Sequence, residues 1–145
     1  MIDLGPLDSL AGYHLRRASA VVSADFSRAF EGTGMRQVLF GILSVISVNP
    51  GINQGNVGRA LGIQRPNMVA LVNELIERGF VTRSVDREDR RAFVLRLTKA
   101  GEATVAEALA CIRVHEQRVL RGFSARERAV LARLLERIEA NGALA

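Results

Sequence analysis

One cysteine in 145 residues, Cys111, excludes an intramolecular disulfide and fits a reducing compartment. No apolar run approaches the roughly 20 residues needed to span a bilayer. The N-terminus lacks a basic region followed by an apolar stretch, so no signal peptide is expected and the cytoplasm is the expected location. The two histidines, His14 and His115, fall on separate helical patterns with no motif beside either. Gly-x-Ser-x-Gly, phosphate-loop and His/Glu metal spacings are all missing. The close carboxylates Asp86, Glu88 and Asp89 alternate with arginines on an exposed stretch, which cannot hold a desolvated acid/base pair. An enzyme is therefore not expected, nor a cofactor or metal. Internal repeats, low-complexity tracts and long linkers are lacking too, so the chain reads as one domain.

What is present is ordinary in amount and uneven in placement. Hydrophobic residues make up 48% and charged residues 24%, as in a soluble globular protein. The net charge is +5. Residues 59–99 hold nine basic and five acidic side chains, so nearly all the excess sits on that stretch. Charge of that size alone does not decide for nucleic acid; its position on a recognisable reading motif does.

The motif lies in residues 50–98. Asn53 can cap a short helix carrying Val57, Ala60 and Leu61 on one face, and Gly62 follows as a helix C′ residue. Gln64-Arg65-Pro66 opens a second helix, with Pro66 tolerated in its first turn. Its apolar residues Met68, Leu71, Val72 and Leu75 are spaced i, i+3, i+4, i+7, and Gly79 ends it. This is a helix-turn-helix pattern, whose second helix enters a DNA major groove. Phe80-Val81-Thr82-Arg83 and Phe93-Val94-Leu95-Arg96-Leu97 are strand-like. The six charges between them, residues 86–91, form an exposed hairpin tip in which the carboxylates are expected to ion-pair with the arginines. Gly51-Ile52 is a candidate short strand beside that hairpin.

The flanks are helical. Residues 1–7 read as a frayed end or arm. Asp8 or Ser9 is expected to cap a helix to about Glu31, with Leu10, Ala18, Val21, Val22, Phe26 and Phe30 on its apolar side. Gly32-Thr33-Gly34 breaks it. A second helix spans roughly residues 35–47, and its wide face of Val38, Leu39, Ile42, Leu43 and Ile46 marks it as central in the core. Thr98 caps a helix of about 30–35 Å that ends near Arg121. Ser124 and Glu127 form a capping box for a last helix bearing Val130, Leu131, Leu134, Leu135 and Ile138, which Asn141-Gly142 is expected to stop. The order is α-α-α-α-β-β-α-α. Cys111, mid-helix among alanines, reads as a buried structural residue; a redox role is the alternative. Arg113 and His115 read as surface or interface groups.

The run from Ala60-Leu61-Gly62 through Glu77-Arg78-Gly79-Phe80-Val81, the charged loop, then Leu97-Thr98-Lys99-Ala100-Gly101 resembles the MarR family of bacterial transcriptional regulators. The resemblance implies a mainly α fold with a small β-hairpin wing: a winged helix-turn-helix over residues 35–98, and dimerisation helices over 8–31 and 99–141. Those outer helices bear more apolar surface than a lone head could cover, which independently favours pairing between chains. The implied function is a homodimeric DNA-binding regulator, a repressor whose affinity for a pseudo-palindromic operator changes with a small effector. A winged-helix module for protein contacts, without specific DNA binding, is the competing class; an oxidant sensor acting through Cys111 is a further alternative.

Candidate site residues follow. On the second motif helix, Gln64, Arg65, Asn67, Val69, Ala70 and Asn73 fall opposite the core stripe. Gln and Asn suit adenine, Arg suits guanine, and Val69 and Ala70 suit a thymine methyl. The family often has polar residues near those last two positions, which implies fewer hydrogen-bonded base contacts here. In the wing, Asp89 and Arg91 match the pair that braces the tip in the family. Arg90 is then the side chain for the minor groove, and Arg87 lies beside it. Glu88 replaces a frequent Arg and puts one phosphate contact in doubt. For the effector, family members bind small anionic aromatic ligands between the dimer helices and the reading head. Tyr13, His14, Arg16 and Arg17 of the first helix and Met35, Arg36 and Phe40 near the second are the side chains here that suit a carboxylate or acyl thioester.

Overall fold

The structure, a computed structural model, describes residues 2–142. A 3-10 turn over Gly5–Ser9 precedes six helices: α1 (Ala11–Ala29), α2 (Gln37–Val48), α3 (Gln54–Ala60), α4 (Arg65–Glu77), α5 (Lys99–Val119) and α6 (Ala125–Gly142). Three short strands complete it, β1 (Ile52–Asn53), β2 (Val81–Val85) and β3 (Phe93–Leu97). The sheet order is β1-β3-β2, antiparallel throughout, with Ile52 opposite Leu95 and Val81 opposite Leu97. This is the expected order of elements, with the short extra strand beside the hairpin.

The core is built on α2. Leu39, Ile42, Leu43 and Ile46 are completely buried, as the wide apolar face required. Val57 of α3, Met68, Val72 and Leu75 of α4, Leu95 of β3 and Val105 and Ala108 of α5 close around it. Phe26 and Phe30, stacked at 4.5 Å, bring the C-terminal end of α1 into the same cluster.

Side chains cap three of the six α-helices at their N-termini. Asn53 Oδ1 accepts from the Gly55 N–H at 2.7 Å, and Thr98 Oγ1 accepts from the Gly101 N–H at 3.0 Å. Ser124 and Glu127 form the reciprocal capping box. Two boundaries differ from expectation. Neither Asp8 nor Ser9 caps α1: its N-cap is Leu10, held extended, while the Ser9 hydroxyl turns back to the Pro6 carbonyl. The competing 3-10 turn has already used those residues. At the other end, Asn141 and Gly142 continue α6 rather than stopping it.

Two interior assignments are also corrected. His115 is buried, not a surface or interface group, and Cys111 is exposed, not buried. The inward stripe of α5 is Val105, Ala108, Ile112 and His115, and Cys111 lies one residue off it. His115 is tolerated inside because its Nδ1 donates to Asp25 Oδ2 at 2.7 Å and its ring meets Phe26 edge-on. Asp25 also accepts from Arg118 Nη2 at 2.9 Å and Arg28 Nη2 at 3.2 Å, so one carboxylate ties α1 to α5.

Candidate nucleic-acid interface and adjoining clefts

The turn between α3 and α4 sets the reading helix. Gly62 adopts φ +64°, which a side chain would resist, and Ile63 N–H returns to the Gly58 carbonyl at 2.8 Å. With Met68, Val72 and Leu75 drawn into the core, α4 presents Gln64, Arg65, Asn67, Val69, Ala70 and Asn73 to solvent, all exposed. Gln64 and Arg65 border the cleft on the wing side, whereas Asn67 and Ala70 border a hollow beside Arg36 and Glu74.

The wing tip is organised by backbone geometry. Asp86 N–H donates to the Ala92 carbonyl and Ala92 N–H to the Asp89 carbonyl, making a turn with Arg90 and Arg91 at its corners. The carboxylates of Asp86 and Asp89 accept the backbone N–H groups of Glu88 and Arg91, both at 2.9 Å. The expected side-chain pairing of Asp89 with Arg91 is not found among the described residues, nor is any other ion pair within the tip. An Asx turn satisfies each aspartate locally, with no side-chain entropy spent on holding a long arginine. Arg87, Arg90 and Arg91 are consequently exposed and free to meet an anionic partner.

A brace joins helix and wing. Arg83 on β2 donates from Nη1 to Asn73 Oδ1 at 3.0 Å, and its guanidinium lies 5.0 Å from the centre of the Phe93 ring. Asn73 is thus engaged by the wing as well as exposed. Sequence reading missed Arg83; it shares a sheet face with its cross-strand partner Leu95 but lies further along the wing, beyond the core, where it is exposed. Arg59 was missed as well. It lines a cleft of about 560 Å³ between α3, the start of α4 and the wing base, together with Gln54, Gln64, Arg65, Arg91 and Phe93. Three arginines around one cleft give it the charge to hold a phosphate backbone.

The expected effector residues fall in three places. Tyr13 is half-buried on α1, with Arg16 and Arg17 over its ring at 5.6 and 5.7 Å. His14 packs edge-on against Tyr13 and its Nε2 donates to the Asp8 carbonyl. Met35 and Arg36 instead line a cleft of about 340 Å³ with Ser23, Phe26, Ser27 and Val38. Phe40 packs beside the core cluster. Of these side chains, Met35 and Arg36 share a cavity.

Known proteins match this arrangement. A family model described as MarR family matches residues 34–92. A transcriptional regulatory protein assigned to the hcr operon of Thauera aromatica is 35% identical over 139 residues, covering 92% of this chain and 81% of its own. The chain belongs to the MarR family. Among solved structures, the transcriptional repressor CouR bound to a 23-mer DNA duplex is 34% identical, covers 96% of this chain and 99% of its own, and superposes with a TM-score of 0.90. CouR bound to p-coumaroyl-CoA is 32% identical over 96% and 98% of the two chains, with a TM-score of 0.83. This MarR-family chain is therefore a transcriptional regulator with the winged helix-turn-helix fold. No helix among its described residues is long and apolar enough to cross a membrane.

Proposed function

We propose that this protein is a cytoplasmic, homodimeric repressor that binds a pseudo-palindromic operator and whose DNA affinity is changed by a small anionic aromatic acid or its acyl thioester. One observation carries the reading. Five solvent-facing residues of α4 with its N-cap Gln64, and a turn cornered by Arg90 and Arg91, flank the arginine-lined cleft, the arrangement needed to read bases in one groove while gripping phosphates beside it. CouR, bound to DNA in one structure and to p-coumaroyl-CoA in another, supports both halves by similarity.

Pairing is supported by what the single chain leaves uncovered. No residue of α6 is buried, and Val130, Leu134 and Ile138 stand exposed at helical spacing. Leu10 at the N-cap of α1, Val21 within it, Val114 of α5 and Phe123 are also exposed. Each such side chain is already about half covered, so covering the rest is worth roughly 1 kcal/mol, and a second copy offers the matching surface.

The test is selection of duplexes from a random pool, followed by mobility-shift titration at two salt concentrations. A regulator enriches one sequence class and loses affinity steeply with salt. Failure to enrich any sequence, with weak binding insensitive to salt, would favour the protein-contact module instead.

A further inference from the structure

Glu74, on the reading helix, lies between two arginines from different parts of the head. Arg78, one turn later, is fixed: it donates to the Thr33 and Gly34 carbonyls at 2.8 and 2.9 Å and lies over the Phe80 ring. Its Nη1 is 3.7 Å from Glu74 Oε1. Arg36, just before α2, has one partner in the described chain, the other oxygen of the same carboxylate. Its side chain is 55% exposed, so nothing else holds it there.

Arg36 also borders two depressions. On one side is the cleft of Ser23, Phe26, Ser27, Met35 and Val38, in which it is the one charged side chain. On the other is a hollow of about 550 Å³ where Asn67, Ala70 and Glu74 line up along α4. The guanidinium therefore stands between a cleft that is otherwise uncharged, lined by Phe26, Met35 and Val38 with Ser23, Ser27 and Gln37, and the reading helix.

We infer that an anionic ligand in the α1–α2 cleft and the Glu74 carboxylate compete for Arg36, and that this exchange links the effector to the reading helix. The inference rests on the effector reading above. With Arg36 in place, Glu74 is neutralised beside a helix that must approach phosphates. When a ligand carboxylate or phosphate draws Arg36 away, Glu74 keeps only the longer contact with Arg78 at 3.7 Å, so a less compensated negative charge stands one turn from Ala70 and two from Asn67, and DNA affinity falls. An exposed ion pair is weak, so a ligand can displace it. The same weakness limits the transmitted effect to roughly two- to fivefold per subunit.

The experiment measures a thermodynamic cycle on the full chain. Calorimetry gives the affinity of p-coumarate and of p-coumaroyl-CoA, with and without the duplex selected as above, for wild type, Glu74→Gln, Arg36→Gln and the double variant. Thermal unfolding of each variant confirms folding. The exchange predicts that Glu74→Gln binds the ligand more tightly and loses most of the ligand's effect on DNA. Arg36→Gln should bind ligand weakly and hold DNA as poorly as liganded wild type, and the double variant should recover DNA affinity. Response to p-coumarate assigns the recognised group to the carboxylate; response to the thioester alone assigns it to the phosphates. An unchanged ligand–DNA coupling in Glu74→Gln, with ligand bound, overturns the exchange and leaves the effector reading standing. No binding of either probe to any of the four proteins overturns the anionic aromatic effector itself, and the exchange with it.

Discussion

At the residue scale, Gly101 and Asp25 illustrate two different distances between sequence and structure. A Cβ on Gly101 would lie 2.1 Å from the Phe80 carbonyl oxygen, a backbone atom that cannot swing aside. The first turn of α5 approaches the end of the reading head that closely because Thr98 ties down the Gly79 carbonyl with its hydroxyl and the Phe80 carbonyl with its N–H. The Leu97-Thr98-Lys99-Ala100-Gly101 run was legible as a family motif, but the contact that demands glycine was not, because it depends on a fold-level approach. Gly101→Ala should destabilise by roughly 1–3 kcal/mol or more, read by denaturant unfolding; a change under half of the lower figure would show that the approach can relax. Asp25 was invisible to sequence reading, since its partner His115 is 90 residues away. Hydrogen bonds from Arg118, then His115, hold its carboxyl well below the usual carboxylate range, against the opposing effect of desolvation. The charged form is favoured in the folded state. Its contribution is therefore complete above the unfolded pKa of about 3.9 and is lost as pH falls through the lower folded value. Asp25→Asn should lower the thermal midpoint at neutral pH, and the gap to wild type should narrow as pH drops below about 4. A gap independent of pH would mean the carboxylate's charge is not what holds α1 to α5.

At the element scale, the reading helix was legible because each boundary has a local cause. Asn53, Gly62, Pro66 and Gly79 punctuate α3 and α4, and the stripe of Met68, Val72 and Leu75 fixes which side faces out. The wing's strands were equally legible. Its internal bonding was not: short aspartate side chains reached backbone N–H groups two residues ahead before any arginine could compete. This alters what substitutions should do. Arg65→Ala should cost roughly 1–3 kcal/mol of operator affinity and relax preference at one base pair, if its guanidinium reads guanine. Arg90→Ala should weaken binding and reduce preference for A·T pairs flanking the half-site. Neither should change the thermal midpoint, because neither side chain has an internal partner among the described residues. Arg83→Ala differs. By releasing Asn73 and uncovering Phe93, it should weaken DNA binding through the angle between helix and wing. Mobility-shift titrations alongside unfolding curves separate the cases, and unchanged operator affinity in all three variants would remove α4 and the wing from the interface.

At the scale of the whole molecule, the chain has a well-filled head and an underfilled periphery. The head buries a continuous cluster from Leu39 to Leu95, whereas α6 has no fully buried residue within one chain and only half-covers Leu131 and Leu135. Sequence periodicity revealed the apolar stripe on α6 but not its partner, because a stripe states only that something must cover it. A second copy related by two-fold symmetry would cover it and also set two reading helices side by side, so the proposed dimer and the proposed operator symmetry stand or fall together. The most direct test is hydroxyl-radical footprinting of the selected duplex, with the protein's mass in solution measured at the same concentration. The expected result is two protected half-sites about 10 base pairs apart, related by pseudo-palindromic sequence and occupied by one dimer. A single asymmetric half-site protected by a monomer would contradict the account.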